Sequence, residues 1–398
     1  MRQNARKDAR ERPVGRSGLS NAITPFQLAV PEAELADLRR RIAQTRWPER
    51  EAVDGAQQGV SLADAQALCA YWHDSYDWRR CESHLNALGQ FHTEIDGLGI
   101  HFLHVRSPNP DALPLILTHG LPGSVIEFLK VIGPLTDPVA HGGKAADAFH
   151  VVVPSLPGYG FSDRPARAGW SVERIAEAWV DLMRRLGYAR FVAQGGDRGA
   201  AITSAMAQIR PPELAGIHLN FVVATPAPED LPFLTDKEKQ MLADVQRLSV
   251  EGTGYSSIQR TRPQTLGYGL TDSPAGQAAW IFDKMIAWTD SGGDPLSVLG
   301  YDEILDNIML YWLPGNAASS ARLYWESYQN FAVHGTDLPV GCSIFPGEMI
   351  RPSRAWAERK FPNLIHWGEL ARGGRFAAFE QPALFVDELR ATFAGLRG

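Results

Sequence analysis

The chain has 398 residues, 44% hydrophobic and 21% charged, with a net charge of −6. This composition supports a large buried core and gives no reason to expect a nucleic-acid partner. Three scattered cysteines, Cys69, Cys81 and Cys342, argue against a disulfide framework or a zinc site and for a reducing, cytoplasmic setting. The sequence shows no apolar run of the roughly 18 to 20 residues a membrane span needs, no Walker loop, no dinucleotide fingerprint and no metal spacing. Neither a cofactor nor a membrane partner is therefore expected; a homodimer is left open.

Residues 1–22 contain Arg2, Arg6, Lys7, Arg10, Arg12 and Arg16, diluted by Asp8 and Glu11 and without aromatics. They predict a disordered tail, with no apolar signal core. Pro31 to Arg46 predicts a helix with Leu35, Leu38 and Ile42 on one stripe, ended by Trp47-Pro48. A second helix follows over Ser61 to Trp72. Both precede any strand, so residues 23–90 form an extension outside the sheet.

Strand signals then arrive in order. His92 to Asp96 and Ile100 to Val105 flank Gly97-Leu98-Gly99, a hairpin signal. Leu115 to Thr118 and His150 to Val153 are short apolar runs suited to buried parallel strands. Ser171 to Leu186 is an amphipathic helix with a serine N-cap. Phe191 to Gln194 and Ile217 to Asn220 continue the alternation. Residues 91–220 thus predict the first part of a mostly parallel α/β sheet with helices on both faces. Residues 221–318 are helical and rich in aromatics, which predicts a lid over the carboxyl ends of the strands. The α/β rhythm resumes in 319–398 with Val340 to Phe345, Leu364 to Trp367 and a helix from Pro382 to Phe393.

Gly195-Gly196-Asp197-Arg198-Gly199 directly follows a predicted strand. It fits the strand–elbow–helix context of a nucleophile, with aspartate where a serine would sit. A carboxylate there suits attack at a saturated carbon through an ester; the plainer reading is an Asp capping a Gly-rich turn. His119-Gly120-Leu121-Pro122-Gly123-Ser124 follows another strand, where the loop that completes an oxyanion hole would lie. His119 is a candidate base there, although its tight Gly/Pro loop favours a structural role. Leu156 to Ser162 reads as a further turn at the rim of the site.

These motifs, with Arg46-Trp47-Pro48, Thr261-Arg262-Pro263-Gln264-Thr265 and Phe345-Pro346-Gly347-Glu348 in order, resemble the microsomal-type epoxide hydrolases over residues 25 to 397. The resemblance implies an α/β-hydrolase fold with a helical lid, a nucleophile at Asp197 and a charge-relay acid at Glu348. It also implies two lid tyrosines, Tyr255 and Tyr324, that hydrogen-bond an epoxide oxygen. The plainer readings are lid packing for the tyrosines and a surface carboxylate for Glu348.

Three positions depart from that family's pattern. Its histidine stretch, Gly-Gly-His-Phe-Ala-Ala, reads Gly373-Gly374-Arg375-Phe376-Ala377-Ala378 here. Arg198 and Leu121 stand where tryptophans are usual. Arginine cannot take a proton from water, so Arg375 is expected to pair with Glu348 or Asp197. His334 and His366 are the candidates to replace the missing base. The leading expectation is epoxide opening by a nucleophile within a bulky, secondary-metabolite-like substrate, with Arg198, His119, Leu121 and Pro122 at the substrate. A true hydrolase, a binding protein that has lost catalysis and, more weakly, a haloalkane dehalogenase are the alternatives.

Overall fold

The computed structural model describes residues 21–53, 55–327 and 332–397. All of the predicted tail except Asn21 and Ala22 lies outside the described residues. The backbone forms one nine-stranded sheet in the order β1-β2-β3-β5-β4-β6-β7-β8-β9. The strands are β1 (Thr24–Pro25), β2 (Gln90–Ile95), β3 (Leu98–Val105), β4 (Leu113–Thr118), β5 (Phe149–Pro154), β6 (Phe191–Gly195), β7 (Leu214–Leu219), β8 (Val340–Ile344) and β9 (Leu364–Glu369). The pairings from β1 through β3 to β5 are antiparallel, and all the others are parallel. This is the mostly parallel α/β sheet that the strand–helix alternation predicts, in the α/β-hydrolase arrangement that the resemblance implies.

The hairpin between β2 and β3 turns one residue earlier than predicted. Ile95 pairs with Leu98, leaving Asp96 and Gly97 as the two turn residues. Their φ values are 52° and 77°, the pairing of positive angles that a type I′ turn requires and that an Asp-Gly pair accommodates. The strand Thr24–Pro25 was not visible as a strand, because two residues carry no alternation; it adds the extension to the sheet edge through Thr24↔His92.

The extension's helices are Glu32–Ala43, Leu62–Asp74 and Trp78–Ala87. The first buries Leu35, Leu38 and Ile42, the predicted stripe. In the second, Ser61 caps the helix by accepting from the Asp64 amide at 3.0 Å. Between β7 and β8 the chain is helical, from Asp236–Arg247 to Tyr301–Trp312 and then Ala317–Glu326. The last of these runs across the expected 318/319 division, because its buried Ala317, Ala321 and Tyr324 pack with the lid rather than with the sheet. The amphipathic helix Val172–Arg185 and the C-terminal helix Pro382–Phe393 cover the sheet. The sheet core is largely apolar along β4, β5 and β6, with Leu115, Val151 and Val192 at 0% exposure and the buried Thr118 and Gln194 near the carboxyl ends of β4 and β6. Apolar strands shielded on both faces place polar chemistry at the strand ends, where the loops begin.

Candidate active site

Four loops leaving the carboxyl ends of β4, β6, β8 and β9 meet over the sheet. The sharpest follows β6. Asp197 opens the helix Asp197–Ile209 with φ at 49°, a left-handed conformation that costs a side-chain-bearing residue energy and recurs at functional turns. The turn closes because Gly199 has no side chain; a Cβ there would strike the carbonyl oxygen of Thr118 at the end of β4. The helix N-terminus beneath Asp197 favours its ionised carboxylate.

Asp197 lies 6% exposed, and its two oxygens have different partners. Oδ1 accepts from the backbone N–H of Arg198 and, at 3.5 Å, from that of Leu121. Those two amides occupy the places of oxyanion-hole donors in such a fold, one directly after Asp197 and one from the loop that follows β4. Oδ2 is ion-paired with Nη2 of Arg375. The other terminal nitrogen of Arg375, Nη1, donates to Glu348 Oε1 at 2.8 Å. Arg375 therefore bridges both carboxylates.

The loops bearing Glu348 and Arg375 come together through a parallel bridge between Gly347 and Gly374. Glu348 Oε1 also accepts from the Met349 amide at 2.7 Å. The guanidinium of Arg375 lies between two rings of the lid side, 4.7 Å from the Phe221 centroid and 4.9 Å from that of Trp288, a geometry in which ring faces attract the cation. Its backbone N–H donates to the Trp288 carbonyl at 3.0 Å. Burial lowers Arg375 to about 9, opposed by the Glu127 carboxyl, so it remains a cation at neutral pH. Burial raises Glu348 to about 8.

The tyrosines stand beside this bridge. Arg198 places its guanidinium 3.7 Å from the centre of the Tyr324 ring. Tyr324 meets Tyr255 edge to face, with centroids 5.9 Å apart, and Tyr255 packs on Trp288 at 5.2 Å. The chain of contacts runs Asp197–Arg198–Tyr324–Tyr255–Trp288–Arg375, so it returns to the ion pair from the lid side. Burial holds Tyr255 well above the usual phenol range, with Tyr324 beside it acting in the same direction. It is a neutral donor at physiological pH.

The histidines stand elsewhere. His119 is buried, with Nδ1 bonded to the Gly120 carbonyl at 2.9 Å and Nε2 accepting from the Leu156 amide at 3.2 Å. Both nitrogens are thus engaged by backbone, and burial lowers the ring to about 4. His119 holds the loop through both nitrogens while lining the same cavity as Asp197 and Arg375. Pro122 offers its carbonyl to Asn307 Nδ2 at 2.7 Å, which ties the same loop to the lid. His366 bonds Glu388 at 2.8 Å on the C-terminal helix, and the His334 amide donates to Ser204 at 3.0 Å. Among the described residues, no histidine hydrogen-bonds Asp197 or Glu348.

Several residues at the site had not been singled out. Glu380 accepts from the amides of Asp290, Gly374 and Phe376 at 2.8 to 3.1 Å, and Asp290 accepts from Gly373 at 2.8 Å. Together they fix the loop that presents Arg375. Glu127 lines the cavity shared by Gly120, Asn220, Asp197 and Arg375. The signal for it was an acid inside the apolar run Val125, Ile126, Phe128, Leu129. Among the described residues, no group of three or more His, Cys, Asp or Glu side chains is placed to hold a metal ion, and no helix is long and apolar enough to cross a membrane.

The profile described as "Epoxide hydrolase N terminus" matches residues 23–128, and the "alpha/beta hydrolase fold" profile matches 114–249. The chain is similar to a Stigmatella aurantiaca protein described as "Putative epoxide hydrolase", with 58% identity over 94% of this chain and 86% of that one. It also resembles the crystal structure of the silkworm (Bombyx mori) juvenile hormone epoxide hydrolase, with a TM-score of 0.87, 31% identity and coverage of 95% and 96% of the two chains. The Aspergillus niger epoxide hydrolase structure matches with a TM-score of 0.84 and 29% identity over 94% and 96%.

Proposed function

Because the chain belongs to the epoxide hydrolase family, we propose that it opens the epoxide of a bulky small molecule by letting a nucleophile of the same molecule attack, giving an isomer rather than a diol. The observation that carries this reading is the division of labour at Asp197. One oxygen rests in the oxyanion-type cradle of Leu121 and Arg198. The other, the one that would attack carbon, is held by Arg375. Arg375 stands where the family resemblance places a histidine, and as a cation it cannot activate water.

The epoxide oxygen lies against the hydroxyls of Tyr255 and Tyr324. An internal nucleophile, such as a phenol or an acidic carbon, forms its bond to one epoxide carbon as the carbon–oxygen bond breaks. The departing oxygen takes a proton from a tyrosine hydroxyl, and the nucleophile's proton passes to the carboxylates of the site. The tyrosine is then reprotonated from that same proton, so substrate and product have the same formula. Arg198 and Arg375 offset the developing negative charge, and holding both partners in one pocket supplies further acceleration. Leu121 and Arg198 stand where the family resemblance places indoles, which supports reading the substrate as a different and larger one.

Turnover of an epoxyalkyl phenol in ¹⁸O-labelled water tests the reading. An isomeric product without label is expected. A labelled diol accumulating over repeated turnovers would overturn it in favour of the second reading, a hydrolase acting through an Asp197 ester. That second reading is favoured by the intact cradle around Oδ1, which is arranged as an ester carbonyl would need.

A further inference from the structure

Arg375 is the centre of a charge imbalance. It is bonded to two carboxylates, Asp197 and Glu348, and a third carboxyl, Glu127, acts on it through space. Arg198 lies over the Tyr324 ring, and Arg351, which acts on Glu348 through space, pairs with Asp244 at 2.9 Å, so Arg375 is the guanidinium that bridges these acids, and one such group balances only one full negative charge. The environment of Glu127 adds no second cation: Glu380 faces it as a further acid, and Tyr311, donating to the Gly123 carbonyl at 2.6 Å, is a neutral phenol. Lys130 is engaged elsewhere, with Glu303 at 2.5 Å and the Phe379 carbonyl at 3.0 Å. Holding several carboxylates together in one buried site is expensive unless some of them keep a proton.

Geometry separates these acids by what holds them: Glu127 takes a backbone hydrogen bond from Ser124 rather than a direct bond from Arg375. Asp197 and Glu348 are fixed by direct bonds to Arg375. Glu127 instead lines the cavity that also touches Asp197, Asn220, Gln194 and Arg375. Room for its carboxyl comes from Gly123, where a Cβ would fall on Glu127 Oε1.

We propose that Glu127 is the proton acceptor of this site, taking the proton released by the attacking nucleophile and returning it after ring opening. The inference rests on the epoxide-opening reading but not on which nucleophile attacks. In the ring-closing reaction the O–H or C–H bond of the internal nucleophile breaks, its electron pair forms the bond to carbon, and its proton goes to the Glu127 carboxylate. The epoxide oxygen leaves with the electron pair of its broken bond and is protonated from Tyr255 or Tyr324. Glu127 then gives its proton back to the tyrosinate, so no proton or electron is gained or lost. With water as nucleophile the same acceptor takes the water proton.

The group also has the basicity that the task needs. Burial raises Glu127 to about 8, with Arg375 opposing, and an acceptor works best when it titrates near the working pH. An unperturbed glutamate would be a far weaker base.

The test uses the full-length protein and an epoxyalkyl phenol whose hydroxyl can close on its own epoxide. For the wild type, kcat/KM should change with pH around 8. Glu127→Gln should lower it by roughly a hundred- to ten-thousandfold, the usual worth of proton transfer by a positioned side chain, and flatten that region of the profile. Glu127→Asp should recover part of the rate. Carboxyl ¹³C NMR of glutamate-labelled protein, without substrate, should show one fewer group titrating near 8 in Glu127→Gln. Unchanged rate and profile in Glu127→Gln would overturn the inference, as would an NMR titration in which every high-titrating glutamate survives that substitution. Loss of rate in Glu127→Gln alongside label uptake from ¹⁸O water would leave Glu127 in place and reject only the ring-closing reading.

Discussion

The loop after β6 and the loop after β9 meet at the same carboxylate but are built to opposite ends. The first holds Asp197 in a strained turn, backed by a helix N-terminus and two backbone amides, all of which fix one carboxylate oxygen in place. The second brings a cation against two aromatic rings and clamps it to the other oxygen of Asp197. A positioned carboxylate beside a cation that pairs with it teaches that positioning and charge handling are separable parts of a site. One loop can keep its geometry while the other changes the chemistry it permits.

The comparison breaks first at Asp197. Asp197→Ala should reduce epoxide opening by about a thousandfold or more, since it removes the carboxylate that holds Arg375, the cation proposed to offset the developing charge; substrate consumption measured on folded protein checks this. Near-normal turnover would mean the elbow is only a turn. The second loop is probed by Arg375→His. Hydrolysis of styrene oxide, expected to be very slow in the wild type, should rise by roughly a hundred- to ten-thousandfold as a water-activating group returns. No gain in a folded variant would show that the arginine is not what restrains Asp197.

The tyrosines sharpen the picture at a smaller scale. Tyr324→Phe or Tyr255→Phe should each cost about a hundred- to a thousandfold in kcat, the usual price of one oxyanion donor, with KM changing less. The smallest effect is on stability. Glu127 and Glu348 both titrate near 8 in the fold, against about 4.5 for an ordinary glutamate. Their protonated forms suit the folded state, so their contribution is complete below pH 4.5 and is lost as pH rises through 8. The thermal midpoint should therefore fall between pH 5 and 8.5, and Glu127→Gln should make that fall shallower by about 2 °C or more. A midpoint with the same pH dependence in both proteins would argue that Glu127 is not raised.

The elbow was legible because its chemistry is local: Gly195, Gly196 and Gly199 flank Asp197 within five residues, and the strand before it is a plain apolar run. Glu348 and Arg375 could be named from family resemblance, and their pairing followed from charge alone. The rings around Arg375 were not legible. Phe221, Trp288 and Arg375 are joined only by the fold, and no spacing in the chain announces that they stack. Glu380 escaped for a related reason, because its partners are backbone amides, which a sequence does not display. The strand Thr24–Pro25 and the early turn at Asp96-Gly97 show the same limit at the level of the fold, where two residues decide a geometry that periodicity cannot register.

The N-terminal extension is fastened to the lid as well as to the sheet. Tyr76 donates to Asp306 at 2.7 Å, Arg80 bonds both oxygens of that aspartate at 2.7 and 2.8 Å, and Tyr71 donates to Asp302 at 3.1 Å. Asp306 sits in the helix Tyr301–Trp312, whose neighbour Asn307 grips the Pro122 carbonyl and the Ser124 hydroxyl. For anyone recombining this scaffold with a related one, the unit of exchange is therefore not the lid alone. A graft that imports foreign lid helices onto the native first ninety residues would leave Arg80 facing the wrong partner and loosen the loop that cradles Asp197. A chimera that carries its own leading helices along with its lid preserves the whole clasp.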